Sequence, residues 1–393
     1  MVDLTRLLPH QPGLQHLQAA AARGRLARCL VFAGPEGTGR RTAALALAKW
    51  LHCAEKPGPI SFCGQCRACR LIDEDGHPAV TRLRPPLFTR KDHPWLVDPR
   101  TGDKARADSL QISIVQARNM RADVAVPPAE GPCKVYILEG ADAMQLEAND
   151  TLLKTLEEPP SYVYLCLIAA SAAALRPTIL SRARVIRFLP FPDERVASIV
   201  AAEVPEAAVR AAEIAAYAGG SPGLALQLAT DAALLALADE ARLILADALT
   251  GDQLLALRGA SRLHALAGQW FTLRYRPTAL PEETADEESG EEEEAPEEPR
   301  GKRSRAPATG VRLGAIQLAD TLANLLRGAL RQETGGSTIV LPSAAGDCTS
   351  APSLGIISEG RAALEANANL ASCLSALLLR IAGGAAAPQP AAR

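Results

Sequence analysis

Long apolar runs are missing from this 393-residue sequence, and with them any stretch able to cross a membrane as a helix. The start, MVDLTRLLPHQPGLQHL, is polar and broken by proline, so it does not read as a signal peptide. These two absences predict a cytoplasmic protein with no membrane partner. In that compartment nine cysteines do not form a disulfide framework. Aromatic residues are scarce, at 4%, and arginine far outnumbers lysine. Internal repeats are absent, and so is any large overall charge: the formal net charge is −2.

The charge that is present is unevenly spread. Residues 282–298, EETADEESGEEEEAPEE, hold eleven acids, and Arg300, Lys302, Arg303 and Arg305 follow. Outside 282–305 the chain has 38 basic and 33 acidic residues. A run this acidic and this poor in apolar residues is expected to be a disordered, solvated insertion. The rest, with hydrophobic residues at 48% of the chain, has material for a large core divided over two or three domains.

Apolar runs at 29–33, 134–138, 162–168 and 185–188 alternate with helix-like stretches, which predicts a parallel α/β sheet. Pro190 and Pro192 end that pattern. Beyond them the chain reads as helical only, with a Gly219-Gly220-Ser221-Pro222-Gly223 turn opening a helix at Leu224. The helical reading is interrupted at about 276–310, by the charged run, and at about 334–357, by a Gly/Ser/Pro-rich stretch.

The first chemical motif is GPEGTGRRT, residues 34–42. A phosphate-binding loop reads G-x-x-x-x-G-K-[ST], follows a strand and opens a helix. Gly34 and Gly39 fit, and the apolar run 29–33 and the alanine-rich stretch 43–48 supply the context. Backbone N–H groups at Gly34, Gly37 and Gly39 are placed to face an anion. Yet Arg40 stands at the lysine position and Arg41 at the Ser/Thr position, and a guanidinium offers Mg²⁺ no oxygen. An ordinary Gly-rich turn before a helix would look much the same.

The second motif is C-x9-C-x2-C-x2-C, formed by Cys53, Cys63, Cys66 and Cys69. Four thiolates at this spacing suit a closed, tetrahedral, structural Zn²⁺ site. An iron–sulfur run of the ferredoxin kind would carry a fourth cysteine and a proline after Cys69, where Arg70-Leu71-Ile72 stand. Cys29, Cys133, Cys166, Cys348 and Cys373 lie in apolar contexts and read as core residues.

Taken in order, the phosphate-loop frame, the cysteine knuckle, Lys134-Val135-Tyr136-Ile137-Leu138, the stretch ANDTLLKTLEEPP at 148–160 and Ile179-Leu180-Ser181-Arg182 resemble the bacterial clamp-loader AAA+ proteins. LLKTLEEPP is specific to them. The likeness covers about the first 230 residues and returns at Asn367-Ala368-Asn369 and Leu377-Leu378-Leu379-Arg380, which look like the family's collar helix.

The resemblance implies an α/β fold: an AAA+ P-loop parallel-sheet domain with a zinc knuckle, a small helical lid domain and a C-terminal all-helical collar domain. The expected boundaries are 1–190 for the first, with the Cys₄ module at 53–69, then 191–245 for the lid and 246–383 for the collar, with 384–393 as a low-complexity tail.

It also allows the family's ATP site to be checked part by part. The lysine and hydroxyl of the loop are replaced by Arg40 and Arg41. The acidic pair that holds Mg²⁺ and polarises water is Glu139-Gly140. The polar sensor falls on Ala169 and Ala170, and the second sensor arginine on Gly223. Four parts fail together, which implies a site without hydrolysis. One part survives: Ser181-Arg182-Ala183 resembles the Ser-Arg-Cys motif, whose arginine reaches a neighbouring subunit's ATP.

The implied role is a non-hydrolysing ring subunit that offers Arg182 as an arginine finger. Its partners would be the motor (gamma/tau) and delta subunits and, through the complex, the sliding clamp and primed DNA, with ATP bound by the neighbours. Two other readings are an active ATPase of the same family and a zinc-ribbon nucleic-acid-binding regulator. Gly140 and Ala170 argue against the first, and LLKTLEEPP against the second. In helix 148–157, Leu152, Leu153 and Leu156 read as an apolar core face that Pro159 stops.

Overall fold

The structure, a computed structural model, describes residues 11–58, 60–90, 93–275, 307–333, 350–366 and 368–386. The acidic run, Cys348 and Asn367 lie outside the described residues. The chain divides into two compact units, Met1–Leu226 and Gln227–Arg393.

The first unit opens with α1 (Pro12–Ala22), β1 (Cys29–Ala33), α2 (Arg40–His52) and α3 (Arg67–Asp73). It continues through β2 (Val80–Leu83), α4 (Ile114–Val124), β3 (Lys134–Glu139) and α5 (Leu146–Glu157), then β4 (Val163–Ala169), α6 (Pro177–Leu180) and β5 (Arg184–Arg187). The five strands form one sheet in the order β2-β3-β4-β1-β5, and every pairing is parallel. Parallel strands need crossovers, and helices on the faces then cover them, so β1 is buried along its whole length as Cys-Leu-Val-Phe-Ala.

The four strands expected from sequence are present, each within a residue of its expected ends. β2 is the addition. Its Thr81 and Arg82 are only half-buried at the sheet edge, so it lacks the apolar run that marks the central strands.

One face of the sheet packs Val31, Tyr136, Leu138, Leu165 and Leu167 against Met120 and Val124 of α4 and against Ala148, Leu152 and Leu156 of α5. Leu152 and Leu156 thus take the core role expected of them, while Leu153 is half-buried. Helix α4 begins at a capping box in which the Ser113 hydroxyl and the Gln116 side chain satisfy each other's backbone N–H groups.

After β5 come α7 (Asp193–Glu203), α8 (Ala211–Ala218) and the Gly219-Gly220-Ser221 turn that opens α9 (Pro222–Thr230). That turn is fixed to the sheet domain, because Phe191 N–H donates to the Gly220 carbonyl at 2.9 Å.

The second unit is helical among its described residues. It comprises α10 (Ala232–Leu249), α11 (Gln253–Arg274), α12 (Ala308–Glu333), α13 (Ser350–Glu365) and α14 (Leu370–Ala386). α11 packs on α10, α12 and α14, and α13 packs on α12 and α14. Asp231 and Asp252 cap α10 and α11. Trp270, fully buried, donates its indole N–H to the Gln317 side chain at 3.2 Å.

The start of α13 corrects the expected loop at about 334–357, since residues from Ser350 are helical. Pro352 falls in the first turn, where a missing N–H costs nothing. Asn369 accepts from the Ser372 N–H at 3.0 Å and so caps α14.

Candidate functional site

The phosphate-loop residues sit where β1 ends, beside the carboxyl ends of β3 and β4. In open parallel sheets this is where ligands bind. Gly37 and Gly39 have φ of +74° and +99°, which a side chain disfavours, and Gly39 caps α2. The Gly34 N–H donates to the Ala169 carbonyl at 3.2 Å. The Gly37 carbonyl accepts from the Gly223 N–H at 3.0 Å. A Cβ on Gly37 would run into the Ser221 hydroxyl, and one on Gly223 would meet the Gly37 Cα at 3.1 Å. The loop is therefore packed, backbone on backbone, against the turn that opens α9.

The side chains around the loop are engaged with the protein itself. Arg40 is directed to the end of the sheet, where its Nη1 donates to the Ala169 carbonyl. Burial lowers its pKa, while Glu36, Asp142 and Glu139 work the other way. Glu139 is ringed by guanidinium groups: Arg82 at 2.9 Å, Arg84 at 3.4 Å and Arg41 at 3.7 Å. Burial works to raise the Glu139 pKa, but Arg82, Arg41 and Arg84 outweigh it and hold the carboxyl below its ordinary range.

Three guanidinium groups thus surround the carboxylate that the resemblance leads one to expect at a Mg²⁺ position. At the sensor position Ala169 and Ala170 present only backbone, and the Ala170 N–H donates to Asp142 at 2.7 Å. A cleft of about 290 Å³ opens beside them, lined by Gly34, Ala170, Ser171, Phe188 and Leu189 among others, with no carboxylate to polarise a water.

The structure therefore brings together Gly34, Gly37, Gly39, Arg40, Arg41 and Glu139. Arg82 and Arg84 were not foreseen. Their place follows from the β2–β3 register, in which Arg82 lies opposite Ile137, two residues before Glu139.

The cysteine cluster lies at the other end of α2. Cys53 follows the last residue of that helix, so its thirteen residues place the cluster about 20 Å from the phosphate loop. The Sγ atoms of Cys53, Cys63, Cys66 and Cys69 all lie within 4.8 Å of one another. Cys53 and Cys63 are 3.6 Å apart, and Cys53 and Cys66 4.0 Å. Four sulfurs at the Zn–S distance around one tetrahedral ion sit about 3.8 Å apart. Backbone N–H groups of Cys63 and Cys66 point at the Cys53 and Cys63 sulfurs at 3.3 Å. The donor set and its spacing fit zinc, and among the described residues the group is made of the four cysteines alone.

Lys49 joins this module to α2. It is 2% exposed, pairs with Asp73 of α3 at 2.5 Å and lies 4.9 Å from the Phe62 ring. Among the remaining cysteines Cys29, Cys133 and Cys166 are buried as expected, whereas Cys373 is only half-buried.

Arg182 stands apart from the loop, on an exposed turn after α6. Its Nη1 donates to the Thr178 carbonyl at 2.9 Å and to the Ser181 hydroxyl at 3.0 Å, and its Nη2 lies 2.9 Å from Glu157.

The first unit is thus a five-stranded parallel α/β sheet in the order β2-β3-β4-β1-β5, with a Gly-rich loop between β1 and α2 and the helices α7 and α8 after β5. Residues 10–192 match the family model described as DNA polymerase III, delta subunit.

The chain is 32% identical over 209 residues to DNA polymerase III subunit delta' of Pseudomonas aeruginosa, covering 52% of this chain and 57% of that protein. It is 30% identical over 174 residues to subunit delta' of Bacillus subtilis, covering 44% of this chain and 46% of that protein. Subunit tau of Escherichia coli is 30% identical over 175 residues, covering 43% of this chain and 23% of tau. The chain thus spans about half the length of the delta' relatives it matches. Family model and relatives agree that the matched half is similar to the delta and delta' subunits of DNA polymerase III.

Proposed function

We propose that the chain is the non-hydrolysing, stator-like subunit of a DNA polymerase III clamp loader, with Arg182 offered in trans to a motor neighbour's ATP. One observation carries this reading. The side chains that would bind or fire nucleotide here are replaced and engaged internally: Arg40 on Ala169, and Arg41 with Arg82 and Arg84 on Glu139. To admit Mg²⁺ at Glu139, the site would have to break these ion pairs. Even then, Gly140 supplies no base and Ala170 no polar side chain. The Gly-rich loop survives because its left-handed Gly37 lets the sheet domain and the α9 turn approach backbone to backbone.

In this reading each part of the chain has its own task. The sheet and lid form one ring position beside a motor subunit that binds ATP. Arg182 places a delocalised charge on an exposed turn, where it would stabilise negative charge on a transferring phosphoryl group. Cys53, Cys63, Cys66 and Cys69 would hold Zn²⁺, which when bound supplies a structural cross-link between the end of α2 and α3. The ring would act through its motor, delta and clamp partners on primed DNA.

The test has two parts. The isolated full-length chain should neither bind Mg·ATP nor turn it over, and it should co-assemble with the motor and delta subunits of its own replication system. ATP turnover by the chain alone would favour the active-ATPase reading. Failure to assemble would remove the clamp-loader role.

A further inference from the structure

The stretch LLKTLEEPP has no assigned task beyond the core packing of Leu152 and Leu156, and its two acids and lysine point away from the core. Glu157 closes α5, and its carboxylate meets Arg182 at 2.9 Å. A second pair repeats the arrangement one stripe along. Asp150 lies seven residues earlier, on the same face of α5, and meets Arg176 at 3.0 Å. Arg176 and Arg182 flank the short helix α6 on either side. α6 and its turn are therefore clipped to α5 at both ends by carboxylate–guanidinium pairs.

We infer that Glu157 is the positioning residue for Arg182. It holds the guanidinium on the face of the turn from which it meets a neighbouring subunit's nucleotide. The inference rests on the in-trans role proposed for Arg182.

The geometry supports holding rather than masking. Nη1 is anchored to Thr178 and Ser181 and Nη2 to Glu157, which leaves Nε without a partner among the described residues and the side chain 37% exposed. The guanidinium is thus fixed in orientation while one side stays open to a phosphate oxygen. A free arginine has many rotamers, and a phosphate that captured it would have to freeze them. One fixed by a carboxylate has already lost that freedom. The carboxylate is itself 45% exposed, so the pair is screened and its effect is modest. An exposed pair of this kind should change a rate by about two- to five-fold.

The experiment uses the reconstituted complex of full-length subunits and measures clamp-loading rate at saturating ATP, with the KM for ATP. Glu157→Ala should slow loading by about two- to five-fold with KM unchanged. Glu157→Gln keeps the shape of the side chain and should fall between Ala and wild type. Arg182→Ala should slow loading more, and in that background Glu157→Ala should add nothing, since there is no guanidinium left to position.

If Glu157 serves only the fold of α5, its effect will persist in the Arg182→Ala complex, and the proposal is overturned. If Arg182→Ala slows loading while Glu157→Ala leaves it unchanged or faster, positioning is overturned and the finger stands. If Arg182→Ala has no effect, the finger reading falls and takes this one with it.

Discussion

Gly37→Ala asks whether the phosphate loop is kept for its packing. Gly37 has φ of +74°, and a Cβ there would run into the Ser221 hydroxyl, with the Leu224 nitrogen at 3.3 Å. Left-handed backbone costs an ordinary residue about 1–2 kcal/mol. The Ser221 hydroxyl must also move, and it accepts from the Leu224 N–H at 3.1 Å. Losing that bond adds about 0.5–1.5 kcal/mol. The sum is about 1.5–3.5 kcal/mol, which in a unit of this size lowers Tm by about 3–14 °C.

Gly24 supplies the control: its φ is +64°, and a Cβ there has nothing within 4 Å. Gly24→Ala should cost only the backbone term, about 1–2 kcal/mol. Thermal unfolding of the two full-length variants, followed by circular dichroism, compares them directly. The double variant Gly37→Ala/Ser221→Ala should cost less than its two singles added together, because the hydroxyl in the way is gone. A Gly37→Ala protein as stable as Gly24→Ala would refute the packing explanation for the retained loop.

Two further outcomes follow from other parts of the first unit. Protein purified without added metal should carry one zinc ion per chain on the four-cysteine cluster, by elemental analysis. Cys63→Ser should lose both zinc and stability, and a content under about half an equivalent in wild type would contradict the assignment. Glu139→Gln leaves three guanidinium groups without their carboxylate and should destabilise the chain by about 2 kcal/mol at neutral pH. Because the folded state holds the Glu139 pKa below its ordinary 4.5, this stabilisation is present above that value and is lost as pH falls through the depressed pKa. The Tm gap between wild type and Glu139→Gln should therefore narrow only below about pH 4.5, and a gap that is constant down to pH 3 would refute the ion cluster.

What could be read in the sequence was what lies close together along it. The strand at 29–33 is a continuous apolar run because both its faces are covered, and the cysteine spacing is local, so both were legible. β2 was not, because an edge strand reading Val-Thr-Arg-Leu has only two buried positions. The helix from Ser350 was hidden by Pro352, a residue tolerated in a first turn but typical of loops.

The contacts that matter most for the site join distant residues. Gly37 meets Gly223, Arg82 meets Glu139, and Arg182 meets Glu157. No periodicity of 2 or 3.6 encodes these pairs, since each depends on strand order or on how two helices lie together. The capping box Ser113-x-x-Gln116 was a signal available in the sequence that the reading passed over.

The most direct measurement is ATP hydrolysis and clamp loading by the reconstituted complex carrying Arg182→Ala, with assembly checked by gel filtration. If one motor site borrows this arginine while the others keep their own, as proposed, ATP turnover should fall only in part and clamp loading should fall further. Arg182→Lys should not restore either, since an ammonium does not reproduce the guanidinium fork. An assembled Arg182→Ala complex with unchanged turnover and unchanged loading would contradict the stator reading and leave the chain as scaffold alone.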